Sequence, residues 1–494
     1  MQSVTCFCMP VSSFPLLCLI GLHHLLEKMG NVQSSSSYQK HLSRLLPEER
    51  ADIDAIFSTL SGSEEASVAK SAKKGVSLLK LKAYVKDALP ESMVVRLYDG
   101  MKSIQLTEKL PDPGAQVAKE QFVVFLSAIF KGNAEEKSGI ILRMISNAGG
   151  PVKESQILEF AEDLVGSLAH VLNYRNDLKG WYPKNMHDST AGVKALAVQL
   201  VSELKSAHGK SPGDASAPDA TCDESSIEDW LFRVPQVSVY LSAVVQRGLL
   251  ALRSPADQPE DLPPLLPKCS GLKGHSFVSL LNLPAVAYIN SHLPSELQQK
   301  WRLLFASSVH GESFTQLCGH IVNKGPCVLV LKDTDGHIFG GFSSSSWEVK
   351  PQFQGNSSCF LFSVAPTLAV FSYTGYNDHY MYLNHGQQTM PNGLGMGGQH
   401  GYFGLWVDSN YGKGHSRAKP RCTTYNSPQL SAKENFTLDA MEVWAVGDPP
   451  EGAAEKGPKS ILDADPEAQA LLELIGKGRQ SDGLRAPADE DGDN

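Results

Sequence analysis

The sequence predicts an α+β protein: an all-α N-terminal region, EF-hand-like but degenerate, followed by a β-sandwich with flanking helices and a C-terminal helix. Three observations carry this. From Pro47 to Gly209 apolar residues recur at i, i+3, i+4 and i+7, one face of a helix turn after turn. Beyond the prolines at 255, 259, 263, 264 and 267 the period changes, and short apolar runs alternate with Gly, Asn, Asp and Pro, as in an antiparallel sandwich. The chain of 494 residues, 42% hydrophobic and 20% charged, can bury the cores of two to four domains, which excludes collagen-like, coiled-coil and wholly disordered architectures.

In chain order, residues 1–28 are an apolar upstream extension or an alternative N-terminus. No Lys or Arg precedes the apolar run and Pro10 and Pro15 interrupt it, against a signal or a spanning helix. Met29-Gly30-Asn31-Val32-Gln33-Ser34 then fits the N-myristoylation pattern M-G-x-x-x-[ST], with Gly30 as acceptor if translation starts at Met29. Glycine is required because the acyl chain goes onto its α-amine. Residues 29–46 are this motif and a Ser-rich linker. Residues 47–254 form the helical region, with stripes such as Ile53, Ile56, Phe57, Leu60 and Ile157, Phe160, Ala161, Leu164. Paired short helices suggest EF-hands, but the segment from Ser61 to Lys74 lacks the alternating oxygen ligands, turn glycine and bidentate Glu that calcium needs. Residues 209–226 read as a loop, Ile227 to Leu252 as a helical stretch and 255–269 as a Pro-rich linker.

In the C-terminal half, Glu296 to Phe305 and Phe314 to Ile321 read as helices. Seven apolar runs follow as strands, from Cys327–Lys332 and His337–Phe342 to Met441–Val446, with Asp335-Gly336 as the hairpin turn between the first two. Gly393-Leu394-Gly395-Met396-Gly397-Gly398 contains the letters G-x-G-x-x-G. A dinucleotide fingerprint leaves a strand and opens a helix, whereas here the strand-like Tyr402-Phe403-Gly404-Leu405-Trp406 follows, so the motif reads as a glycine-rich turn.

Charge is placed unevenly. Residues 448–494 hold twelve acids and five bases, −7 of the chain's −9, so the rest is nearly neutral, with no basic stripe for nucleic acid. This last segment is a tether, an amphipathic helix at 466–475 and an acidic tail. Asp465 suits the N-cap, Pro466 the first turn and Gly476 the stop. Leu471, Leu472 and Ile475 line one face with Ala468. A helix this short must dock, on its own domain or in a partner's groove; the Gly- and Pro-containing tether favours a partner.

The residues of the second half resemble a known family. Lys300-Trp301-Arg302-Leu303-Leu304-Phe305-Ala306-Ser307-Ser308 leads to His310-Gly311-Glu312-Ser313-Phe314. Then come Gly340-Gly341-Phe342, Trp347, Thr374-Gly375-Tyr376-Asn377, the glycine motif at 393–398 and Glu442-Val443-Trp444. In this order they are similar to a TLDc domain over about 270–447. With the lipidation motif and the helical half, the resemblance implies the mTOR-associated branch of that family. It then implies a non-enzymatic adaptor on the cytosolic face of the lysosomal membrane and in the cytoplasm. There it supports mTOR signalling in growth, proliferation and migration, with the mTOR complex and the vacuolar proton pump (V-ATPase) as partners and the membrane reached through the myristoyl group. The alternative that the family implies is an oxidation-resistance activity of the TLDc domain.

The sequence offers no catalytic constellation: neither G-x-S-x-G nor H-E-x-x-H is present. The six cysteines beyond residue 28 form no C-x-x-C pair and stand in or beside apolar runs, as inert thiols do. No metal site and no cofactor are expected.

Overall fold

The computed structural model describes residues 38–62, 75–105, 116–147, 150–182, 186, 189–207, 221–250, 265–271 and 278–449. The chain divides into a unit Met1–Gly447 and a second, Asp448–Asn494, nearly all of which lies outside the described residues.

The helical half is a duplicated arrangement. Helices α1 (Pro47–Ser61), α2 (Leu78–Val85), α3 (Glu91–Lys102) and α4 (Lys119–Lys131) form two helix–loop–helix units. The units are joined by a single antiparallel bridge, Val76 to Val117, in which each N–H donates to the other's carbonyl at 2.9 Å. Helices α5 (Ala134–Ile145), α6 (Glu154–Tyr174), α7 (Ser189–Ala207) and α8 (Glu224–Arg233) repeat the plan, with strand β1 (Val152–Lys153) antiparallel to β2 (Thr221–Cys222). Paired helix–loop–helix units bridged through their loops are the EF-hand-like layout expected. The loop of 63–74, where the calcium ligands were found wanting, lies outside the described residues. The predicted stripes are the core: Ile53, Ile56, Phe57 and Leu60 are buried on α1, and Ile157, Phe160, Ala161 and Leu164 on α6. The stretch predicted from Ile227 to Leu252 is broken at Pro235, which starts α9 (Pro235–Val245) at an angle to α8.

The second half is two sheets face to face. Strands β3 (Lys268–Ser270), β4 (Lys300–Ala306), β5 (Cys327–Asp333), β6 (Ile338–Ser343), β8 (Phe360–Ala365) and β9 (Ala369–Ser372) make the inner sheet. The outer sheet is β7 (Lys350–Gln354), β10 (Met381–Asn384), β11 (Gly393–Gln399), β12 (Tyr402–Asp408) and β13 (Lys413–His415). The twelve-residue β14 (Asn435–Val446) belongs to both: its start pairs with β13, its remainder with β5 and β4. Helices α10 (Leu283–Ser291), α11 (Ser307–His310) and α12 (Phe314–Ile321) flank them.

Two expectations are corrected. Residues 300–306, read as the end of a helix, are strand β4; the run WRLLFA has the aromatic and branched side chains of a strand, buried on both faces from Leu303 to Ala306, and helical spacing in so short a run does not distinguish the two. The glycine motif is no turn but strand β11.

Period-two alternation sorts the inner sheet. On β5, Cys327, Leu329 and Leu331 face the sandwich interior while Val328 and Val330 face the helical half; on β14, Met441, Val443 and Ala445 point inward and Trp444 and Val446 toward the helices. Both faces of this sheet are therefore buried, and the core of the helical half runs unbroken into its outer side. The proline-rich stretch at 255–269 divides the sequence without dividing this core.

Three indoles close that junction. Trp181, from the segment after α6, packs against Trp301 of β4 at 5.9 Å and Trp444 of β14 at 5.0 Å between ring centroids. Each ring is at most 1% exposed. Each N–H is satisfied: Trp181 donates to the Pro267 carbonyl at 2.9 Å, Trp301 to Asn290 Oδ1 at 3.0 Å and Trp444 to Glu442 Oε2 at 3.0 Å. Trp181→Ala removes the ring that spans both halves and should cost about 3–5 kcal/mol. In a calorimetric melt of the full chain, helix and sheet should then unfold at a lower temperature together. A sheet transition left at its wild-type temperature would show that the halves are independent.

Candidate functional site

The core side chains of the signature segments are set by strand parity. Glu442 lies on the helix-facing side of β14, 3% exposed. Its carboxylate accepts from the Leu280 amide at 2.6 Å, the Ser279 hydroxyl at 2.9 Å and the Trp444 indole at 3.0 Å. The Ser279 hydroxyl is itself an acceptor for the Leu281 amide at 3.1 Å, which fixes it as a donor to Glu442. Burial pushes the Glu442 carboxyl up to about 7, against the pull of those three donors. With so little surface, Glu442 meets no substrate; it clamps β14 to the segment that enters α10.

The glycines of β11 make room for a second feature. Leu394 and Met396 face the sandwich interior. A Cβ on Gly395 would stand 2.7 Å from Phe403 and 2.8 Å from Trp406, so these rings lie flat across a strand without side chains on that face. The ladder skips Gly397 and resumes at Gly398 opposite Phe403, the two glycines having φ of +70° and +79°, and Phe403 and Trp406 share the outer face with Tyr382. The three rings are stacked or tilted at 4.5–6.1 Å and bordered by Phe353, His400 and His415. The motif thus serves aromatic packing, not a pyrophosphate. Burial, and then Arg417, depress His415 to about 4. Its folded-state preference for the neutral ring stabilises the protein above pH 6.5 and is lost as pH falls toward 4.

The signature segment at 374–377 stays at the surface. Thr374, Gly375 and Tyr376 line a shallow cavity of about 530 Å³ with Pro420, Arg421, Thr423 and Asn426. Thr374 donates to the Thr423 carbonyl at 2.8 Å and Asn377 to Thr423 Oγ1 at 3.1 Å, fastening the two loops. Tyr376 remains 78% exposed. An exposed tyrosine beside an arginine, on loops held this way, is the make-up of a protein-contact surface.

Among the described residues no group of three His, Cys, Asp or Glu is placed to hold a metal, and no helix is long and apolar enough to cross a membrane. Burial holds four of the described thiols high: Cys318 and Cys327 at about 11, Cys269 at about 12, and Cys422 above its ordinary value. Cys327 also accepts from the Trp347 indole at 3.1 Å. Gly30 and Leu471, Leu472 and Ile475 all lie outside the described residues. Sequence reasoning missed Trp181, Ser279 and the part of Glu442, since only tertiary structure brings positions 100 to 260 residues apart together; a tryptophan flanked by glycine and tyrosine between helices was the one available signal.

Comparison with known proteins follows the same outline. The TLDc-domain family profile matches residues 276–447. The MTOR-associated protein MEAK7 of Gallus gallus is 64% identical over 470 residues, 94% of this chain and 100% of that protein. The protein of the same name from Homo sapiens is 54% identical over 463 residues, again 94% and 100%. Oxidation resistance protein 1 of Xenopus laevis is 33% identical over 171 residues, 34% of this chain and 19% of its own length.

Glu442→Gln tests the clamp. Its amide nitrogen must face a donor, so the variant should melt several degrees lower than wild type at pH 5. Because the folded carboxyl binds its proton more tightly than the unfolded one, wild type loses stability as pH rises from 4.5 through 7 while the variant does not. The gap between the two melting temperatures should narrow by pH 8. A constant gap would mean that Glu442 does not titrate in this range.

Proposed function

The chain belongs to the TLDc family, within it to the MEAK7 proteins, and we propose from this that it acts as a non-enzymatic adaptor in mTOR signalling at the cytosolic face of the lysosomal membrane. The observation that carries the reading is similarity over the whole length of relatives named for association with mTOR, helical half included. None of these relatives is named for a reaction. Contacts with the vacuolar proton pump extend the proposal, through the surface around Tyr376 and Arg421 and through Leu471, Leu472 and Ile475.

Membrane attachment in this reading comes from Gly30. One myristoyl chain binds membranes only marginally, at about 10⁴ M⁻¹. With Lys40 and Arg44 as the only nearby cations, Arg44 being held by Glu136 at 2.6 and 2.8 Å, protein contacts must supply the rest.

A second reading, oxidation resistance in the TLDc domain, is favoured by the similarity to Oxidation resistance protein 1. The high thiols argue against cysteine-based turnover.

Gly30→Ala in the Met29-start protein should abolish incorporation of a myristate analogue and shift the protein from membrane to soluble fractions without changing its melting temperature. Unmodified Gly30 in the wild-type protein would overturn the anchor. Leu471, Leu472 and Ile475 changed together to Asp should abolish co-purification with the pump or the mTOR complex while the melting temperature stays within a few degrees; a large drop would assign that helix to the protein's own core. Peroxide consumed catalytically by the full chain would favour the second reading.

A further inference from the structure

A groove of about 610 Å³ runs between α4, α5 and the start of α8 in the helical half. Ile104, Val124, Ile140 and Leu142 give it an apolar floor. Its rim is acidic: Glu135, Glu136, Asp223 and Glu224, against Arg143 alone. Glu136 is committed to Arg44 and Lys40, and Asp223 caps α8 by accepting from the Ser226 amide at 2.9 Å. Glu135 and Glu224 are exposed and form no ion pair among the described residues. The Glu224 carboxylate lies close against α5 at Gly139, where a Cβ would stand 2.7 Å from it. In the wall, His41 is 8% exposed, and its Nδ1 atom is buried with no hydrogen-bond partner.

We propose that this groove receives an amphipathic helix of a partner protein whose apolar stripe is flanked by lysine or arginine. The apolar floor takes the stripe and the two uncommitted carboxylates take the cations. An anionic membrane or nucleic acid is repelled by the same rim. The chain's own segment at 466–475 has the wrong sign, carrying Glu467 and Glu473. The groove lies outside residues 276–447, so the site belongs to the part of the chain beyond the TLDc match.

The probe is a fluorescein-labelled sixteen-residue leucine–lysine peptide patterned as an amphipathic helix, titrated with the full chain and read by fluorescence anisotropy at about 0.15 M salt. Its counterpart with glutamate for lysine serves as control. The lysine peptide should bind and the glutamate peptide should not. Glu135→Lys with Glu224→Lys should weaken binding about tenfold or more, and so should Gly139→Leu, which fills the groove. Asp335→Lys with Glu348→Lys on the sandwich makes the same change in net charge and should leave binding within twofold. Equal loss with both charge reversals would reduce the effect to the overall charge of −9 and overturn the site. So would undiminished binding to a folded Gly139→Leu protein; if that variant does not fold, the paired reversals decide alone. A concentration-dependent dimer in sedimentation, abolished by the Glu135 and Glu224 reversals, would make a second copy the occupant and likewise overturn the proposal.

Discussion

Three tryptophans from distant parts of the chain hold the molecule together. Trp181, Trp301 and Trp444 meet where the helical half ends and the inner sheet begins, and burying three indoles is among the largest apolar contributions a chain can make at one place. The cost of drying their N–H groups is offset by one acceptor each, and one of those acceptors, Glu442, simultaneously gathers the Ser279–Leu280 segment. Apolar packing and a buried carboxylate therefore act on the same strand, and β14 is the element on which both sheets and the helical half converge.

Much of this architecture was legible in the residues. Helical stripes such as Ile53, Ile56, Phe57 and Leu60 appear as core because a helix with one buried face must repeat near 3.6 residues. The runs at 327–332 and 337–342 with Asp335-Gly336 between them could only be a hairpin, since both strand composition and turn chemistry agree. Strand β4 was illegible for the opposite reason: from Leu303 to Ala306 it is buried on both faces, so the alternation begun at Lys300–Leu303 does not continue, and the preceding turn of 3₁₀ helix at Ser295–Leu297 lends the neighbourhood a helical look. Strand β11 was hidden because four of its seven positions are glycines, whose purpose shows only when Phe403 and Trp406 lie across Gly395.

The candidate surfaces were less legible than the fold. The resemblance drew attention to Tyr376, but nothing in the sequence told its 78% exposure from the burial of Trp347 or Trp444. Paired short helices were legible, but the bridges that join their units were not, because the strands involved are one or two residues long. Such short ladders carry no period, and only the reciprocal amide bonds reveal them.

The inner sheet has a consequence for the modularity of its domain. Val328, Val330, Phe342, Phe360, Phe362 and Trp444 all stand on the side that the helices occupy. Excised at the boundaries of the family match, residues 276–447 would keep part of that cover, because α10 lies within the match: His292 meets Phe360, Asn290 accepts from Trp301, and Ser279 and Leu280 hold Glu442. What the excised piece would lose is the Trp181 indole, which the helical half lays against Trp301 and Trp444. The TLDc sandwich carries its own half of a roof, and the helical half completes it.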